Sequence, residues 1–167
     1  VVLNVENGVA SVTLNRGAVH NAFDEAMIAR LSEVFDELSE RDDVIVVVLR
    51  GVGKSFSAGA DLNWMKRAAT FTQEQNKADA LALAGMLGML NRLPKLTIAC
   101  VQGAAMGGGM GLICCCDIVI ADNTAKFALS EVKLGLIPAT ISPYVLAAIG
   151  VRQARRYFQT GEHFGVE

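Results

Sequence analysis

The chain has 167 residues, of which 52% are hydrophobic and 19% charged, and its formal net charge is -2. That length fits one domain with a real core, and the apolar content fits a filled core plus surface held for other subunits. No Lys/Arg cluster is interleaved with aromatics and no run of about 18 apolar residues occurs, so neither a nucleic acid nor a membrane is an expected partner.

In chain order, Val1 to Val5 and Val9 to Leu14 flank Asn7-Gly8 with apolar residues mostly alternating, which predicts a hairpin. Asp24 to Glu40 carries Ile28, Leu31, Val34, Phe35 and Leu38 at helical spacing. The run Val44-Ile45-Val46-Val47-Val48-Leu49 has no polar alternation and predicts a strand covered on both faces of a parallel sheet. It leads to the turn Ser57-Ala58-Gly59-Ala60-Asp61-Leu62 and a helix. Thr72-x-x-Gln75 has capping-box form, opening a helix that ends before Pro94. Thr97 to Val101 predicts the next strand, Gly107-Gly108-Gly109-Met110-Gly111 a second glycine turn, and Gly109 to Cys116 a short buried helix. Asp117 to Ala121 then predicts a strand, with Lys126 to Leu129 pairing nearby. Ser142 as N-cap with Pro143 at N1 starts a helix to Gly150, and Val151 to Phe158 forms another.

Each glycine turn follows a buried strand and opens a helix, so its backbone N–H groups are unpaired donors able to bind an anionic oxygen. Two such turns meeting at one point would make an oxyanion hole. The triple glycine alone could equally serve close packing of a helix on a sheet. Glu131, before the loop Gly135-Leu136-Ile137-Pro138, adds a candidate acid/base, although by itself it reads as a solvated or ion-paired surface residue.

Competing chemistries fit poorly. Gly51-Val52-Gly53-Lys54-Ser55 ends like a phosphate loop, but Val48 stands where its first glycine belongs. The triple glycine does not follow the dinucleotide fingerprint, and Ser57 lacks a nucleophile elbow. Cys100, Cys114, Cys115 and Cys116 read as small buried apolar residues in a reducing compartment, and with His20 and His163 they give no ligand spacing, so no metal site is expected. Val1 to Glu6 has no signal or transit character, and a cytoplasmic protein is expected.

At family level the chain resembles the enoyl-CoA hydratase/isomerase, or crotonase, superfamily. The resemblance is carried by Leu14-Asn15-Arg16 with His20-Asn21-Ala22-Phe23, by Phe56 to Leu62, by Gly103 to Gly109, by Cys116 to Ala121, and by Phe127 to Pro138. It implies an α/β fold of the crotonase type, a ββα spiral with two roughly perpendicular sheets, as one domain over 1–167 that stops before C-terminal trimerisation helices. It further implies an acyl-CoA thioester as substrate with no separate cofactor, and a homotrimer or a dimer of trimers (a homohexamer).

By that resemblance the N–H groups of Ala60 and Gly108 hold the thioester oxygen and Glu131 is the catalytic carboxylate. His20, Ala22, Ala58, Asp61 and Leu62 join Ala60 along the coenzyme A path, with Met106, Gly107, Gly111 and Ser130 completing the substrate contacts beside Gly108. The chain departs from the family pattern at three places. Gly111 stands where two-glutamate hydratases carry their first acid; Gly17 and the segment Ala139-Thr140-Ile141-Ser142-Pro143 replace a proline and a glycine-rich stretch; and the chain stops early. Within the family, Asp61 to Lys66 and Leu129 to Ala139 are similar to bacterial methylglutaconyl-CoA hydratases of leucine and isoprenoid breakdown. Hydration of an enoyl-CoA is the expected reaction. An isomerase, a decarboxylase, and a catalytically silent acyl-CoA-binding subunit are the alternatives.

Overall fold

The computed structural model describes residues 1–167. Strands β1 (Val2–Glu6) and β2 (Val9–Leu14) pair antiparallel around Asn7 and Gly8, both at positive φ as a tight hairpin turn requires. Helix α1 (Glu25–Ser39) is capped by the Asp24 carboxylate, which accepts from the Met27 N–H at 2.9 Å, and it buries the stripe Ile28, Leu31, Val34, Phe35 and Leu38. Strand β3 (Val46–Gly51) follows, then α2 (Leu62–Ala68) and α3 (Gln73–Asn91). Thr72 and Gln75 form the anticipated capping box of α3.

Strand β4 (Leu96–Val101) is followed by β5 (Ala104–Met106), α4 (Gly108–Cys114), β6 (Ile118–Ala121) and β7 (Lys126–Ala128). A 3-10 turn at Ser130–Leu134 and helix α5 (Ser142–Thr160) end the chain's regular structure. Gly150 at φ 76° breaks α5, so the two expected helices meet at a kink. Ser142 does not cap it. Ile141 takes the N-cap position, Ser142 is the first helical residue, and its hydroxyl donates back to the Pro138 carbonyl at 2.7 Å.

The large sheet runs β1-β2-β3-β4-β6, parallel from β2 onward, while β5 and β7 pair parallel as a separate small sheet. Val12, Leu49 and Ala99 lie in one register row, all fully buried with Leu31, Phe35, Met86, Leu87 and Leu90 in one core. β3 is central, but only one of its faces is dry. Val47 and Leu49 are buried whereas Val46 and Val48 are half-buried, and Ile45 is 71% exposed. The uninterrupted apolar run therefore has a different cause than cover on both sides: its second face continues across Ile98 to Ile118 and Ile120, which no element of this chain covers.

Candidate active site

The first glycine turn is fixed by a parallel bridge between Phe23 and Ala60. Phe23 N–H donates to the Gly59 carbonyl at 2.7 Å, and Asp61 N–H donates to the Phe23 carbonyl at 2.8 Å. In such a bridge the middle residue turns its own N–H the other way. The Ala60 N–H accordingly has no hydrogen-bond partner in the protein. It is free because its neighbours are bonded, and not because it starts α2; Asp61 and not Ala60 is the α2 cap.

The second turn works through the helix start. Gly107 is the N-cap of α4 at φ 46°, its N–H donates to the Ala128 carbonyl at 3.1 Å, and the Gly108 N–H finds no acceptor. The two turns are stitched together at their bases: Ser57 N–H donates to the Ala104 carbonyl at 3.0 Å and Met106 N–H to the Ser57 carbonyl at 2.9 Å. Packing there leaves no room for side chains. A Cβ built on Gly109 would lie 2.6 Å from the Ser57 carbonyl oxygen, and one on Gly108 would lie 2.8 Å from the Phe23 ring.

Ala60 and Gly108 line one cavity of about 300 Å³, together with Glu131 from the 3-10 turn. A Cβ on Gly107 would meet Glu131 Oε1 at 3.0 Å, which puts the carboxylate beside the second turn. Glu131 Oε2 is buried without a hydrogen-bond partner. Burial pushes the Glu131 carboxyl above its ordinary value of 4.5, so it holds a proton more readily than a solvated glutamate. Two residues with free backbone donors and one with an unsatisfied carboxyl oxygen thus line a single, mostly apolar space. That set can polarise a carbonyl oxygen and move a proton close to it.

Of the other anticipated contacts, Ala58, Leu62, Gly107 and Ser130 also line the cavity. His20, Ala22, Asp61, Met106 and Gly111 do not. His20 is exposed, with Nδ1 3.0 Å from the Ser55 hydroxyl. Asp61 is committed to structure: Oδ1 accepts from Asn63 and Trp64 N–H at 2.8 and 3.2 Å, and Oδ2 faces Arg16 at 3.2 Å. Those backbone donors, with Arg16 behind them, hold its carboxyl below the ordinary range. Gly111 is buried behind the cavity wall, where a Cβ would sit 2.4 Å from Ile141 Cγ2. The space for a side chain at this position is filled by Ile141, itself a cavity residue.

Sequence reasoning missed most of the apolar wall, namely Trp64, Met65, Leu83, Leu134, Leu136 and Ile137. The one available signal was the crowding of Leu134, Leu136 and Ile137 just after Glu131, residues that remain 61%, 51% and 81% exposed. The cysteines lie away from this cavity, and burial pushes the Cys114 thiol up to about 11 and that of Cys116 to about 12, unreactive values.

Parallel strands linked by helices thus carry a site built from two backbone turns and a carboxylate. The profile of the family described as Enoyl-CoA hydratase/isomerase matches residues 4–167, and the chain belongs to that family. A crystal structure of an enoyl-CoA hydratase from Shewanella pealeana is 52% identical with a TM-score of 0.97, over 98% of this chain and 62% of that one. Enoyl-CoA hydratase AKT6-1 of Alternaria alternata is 38% identical over 89% of this chain and 48% of its own length. The trans-2-decenoyl-[acyl-carrier-protein] isomerase of Streptococcus mutans is 31% identical over 100% of this chain and 64% of its own length. The chain thus spans less than two thirds of the relatives it matches. No helix is long and apolar enough to cross a membrane.

Proposed function

We propose that this chain carries the reaction centre of an enoyl-CoA hydratase, with a coenzyme A thioester as substrate and no further cofactor. The observation that carries the reading is the convergence of two unpartnered N–H groups, at Ala60 and Gly108, and the unpartnered Glu131 carboxyl on one cavity. The thioester oxygen sits between the two N–H groups, which draws electron density from the C2=C3 bond and leaves C3 electrophilic. Glu131 takes a proton from water as the water oxygen bonds to C3, and the protonated Glu131 then gives that proton to C2, which restores the carboxylate. Losing either backbone donor is worth about 3 kcal/mol of barrier.

One observation favours a second reaction. Glu131 is the only carboxylate among the cavity residues, and one carboxylate suffices to carry a proton between C2 and C4 of an enoyl-CoA, as in double-bond migration. Mass spectrometry of products formed in heavy-oxygen water separates the two: label in the product means hydration, and a shifted double bond with unchanged mass means isomerisation. Glu131→Gln is expected to lower turnover at least about 100-fold with thioester affinity nearly unchanged. Retained turnover would sink the assignment of Glu131, and thioester binding without turnover of any enoyl-CoA would favour a silent binding subunit.

Methylglutaconyl-CoA, the acyl group suggested by resemblance, carries a second carboxylate. No Lys, Arg or His lines the cavity, so that carboxylate would need its cation from outside these residues. For assembly we propose a trimer or a dimer of trimers, supported by the apolar face at Ile118 and Ile120; sedimentation showing only monomer at micromolar concentration would overturn this.

A further inference from the structure

We propose that Arg16 is a positioning residue for the Ala60 N–H, a role that rests on the cavity being a thioester site. Arg16 is not among the cavity residues and does not reach the reacting atoms. Its guanidinium instead binds three groups at once. Nη1 donates to the Ala22 carbonyl, while Nη2 lies 2.9 Å from Asp24 Oδ2 and 3.2 Å from Asp61 Oδ2. Ala22 and Asp24 flank Phe23, and Asp61 follows Ala60. One planar group therefore grips both sides of the Phe23–Ala60 bridge that aims the free N–H.

The same two carboxylates cap helices with their other oxygens. Asp24 Oδ1 accepts from Met27 N–H at 2.9 Å at the start of α1, and Asp61 Oδ1 accepts from Asn63 N–H at 2.8 Å at the start of α2. Arg16 thereby ties two helix starts to the turn between them. Its own backbone N–H is anchored, donating to Asn21 Oδ1 at 2.8 Å, and Asn21 in turn donates to the Val52 and Ser55 carbonyls at 2.9 and 2.8 Å. Without the guanidinium, the two carboxylates would lose the cation that bridges them, leaving in reach of both only Arg67, which is paired with Glu25. Their repulsion would push Asp61, and with it Ala60, away from Phe23.

The test uses Arg16→Met, which keeps length but no charge, and Arg16→Lys, which keeps charge but not the planar fork. The probe is cinnamoyl-CoA, whose absorption moves to longer wavelength when its carbonyl is polarised by hydrogen-bond donors. Wild-type protein is expected to give that shift. Arg16→Met is expected to lose most of it, with kcat for crotonyl-CoA falling about 10- to 100-fold and KM changing little, the response to a donor misplaced by about 1 Å. Arg16→Lys should be intermediate, and it keeps the test open if Arg16→Met fails to fold. Adding Asp24→Asn to Arg16→Met should recover part of the shift by removing the repulsion. A folded Arg16 variant of lower melting temperature but with the wild-type shift and kcat would overturn the proposal while leaving the thioester site intact. A wild-type protein that neither shifts the probe nor turns over any enoyl-CoA would overturn the site itself.

Discussion

The turns at 57–61 and 107–109 each leave one backbone N–H free, and they do so by opposite means. The first is held by bonds: Phe23 takes the groups on either side of Ala60, and Arg16 grips the residues around them. The second is held by the absence of side chains, since a Cβ at Gly108 or Gly109 would enter the Phe23 ring or the Ser57 carbonyl. A bonded turn tolerates almost any small residue at its centre but depends on distant polar partners. A packed turn is bonded at its base, by Gly107 N–H to Ala128 and Met106 N–H to Ser57, but at its centre it tolerates nothing larger than hydrogen.

Gly109→Ala tests the packed turn most severely. Its Cβ would meet a backbone oxygen at 2.6 Å, and backbone cannot swing aside as a side chain can. Separating the turns by about 1 Å should lower kcat about 100-fold, and the crowding should lower stability by about 1–3 kcal/mol. Steady-state kinetics with denaturant unfolding on the same samples checks both; a fully active, fully stable variant would show that the turns slide freely past each other.

Gly111→Ala sharpens the contrast, because there the obstacle is a side chain. The new methyl would lie 2.4 Å from Ile141 Cγ2, which should again destabilise by about 1–3 kcal/mol. Ile141→Ala removes that Cγ2, so the cost of Gly111→Ala should nearly vanish in its background. A double-mutant cycle is expected to give a coupling of at least about 0.5 kcal/mol, and simple additivity would mean that Ile141 does not fill this space. At Gly109 no single partner substitution should rescue.

For the bonded turn, Asp61→Ala removes an N-cap and one of the three groups that Arg16 holds. The loss should be about 1 kcal/mol, read as a lower melting temperature, with Asp61→Asn closer to wild type because an amide oxygen can still cap. Equal losses for the two variants would assign the effect to the ion pair and not to the cap.

The same distinction explains what was legible in the sequence. The strands read at Val44 to Leu49 and Thr97 to Val101, observed at Val46–Gly51 and Leu96–Val101, were readable as short apolar runs, and the α1 stripe because burial imposes a period on neighbouring residues. The packed turn was readable for a related reason: glycine itself is the mark of close approach. The bonded turn shows that mark at Gly59, at φ 90° and close to the Met106 carbonyl, but nothing in it marks the partners that hold Ala60. The freedom of the Ala60 N–H depends on Phe23, and its fixation on Arg16, residues far away in the chain that look like an ordinary core aromatic and an ordinary surface cation. Ser142 misled because Ser-Pro is a strong helix start, whereas here the chain already turns at Ile141 to fill the space beside Gly111. The apolar wall from Leu134 to Ile137 offered only its crowding as a signal, because exposed apolar residues outside long elements have no periodicity to betray what they line.

The smallest effect is also the one that separates both turns from the group they serve. Ala60 and Gly108 offer uncharged donors, indifferent to pH, while Glu131 titrates in a place that disfavours its charge. Its carboxyl is raised in the folded protein, so the folded state binds that proton more tightly than the unfolded chain does. Below the ordinary value of 4.5 both states hold the proton and burial of the carboxyl has no ionic cost. As pH rises through 4.5 and then through the raised folded value, the unfolded chain releases the proton first and folding loses free energy; above that window the loss is constant. Glu131→Gln cannot titrate. Wild type should therefore lose melting temperature relative to Glu131→Gln as pH rises from 4 to 8, and the difference between the two proteins cancels the carboxylates that act with the opposite sign, Asp61 and Asp117, which are lowered by their backbone donors. A gap that stays flat over this range would mean that Glu131 finds a partner in solution and that its unsatisfied oxygen is not the feature that readies it for proton transfer. A gap that opens with pH, alongside the loss of turnover in Glu131→Gln, would show one carboxylate held against the stability of the fold for the chemistry it performs.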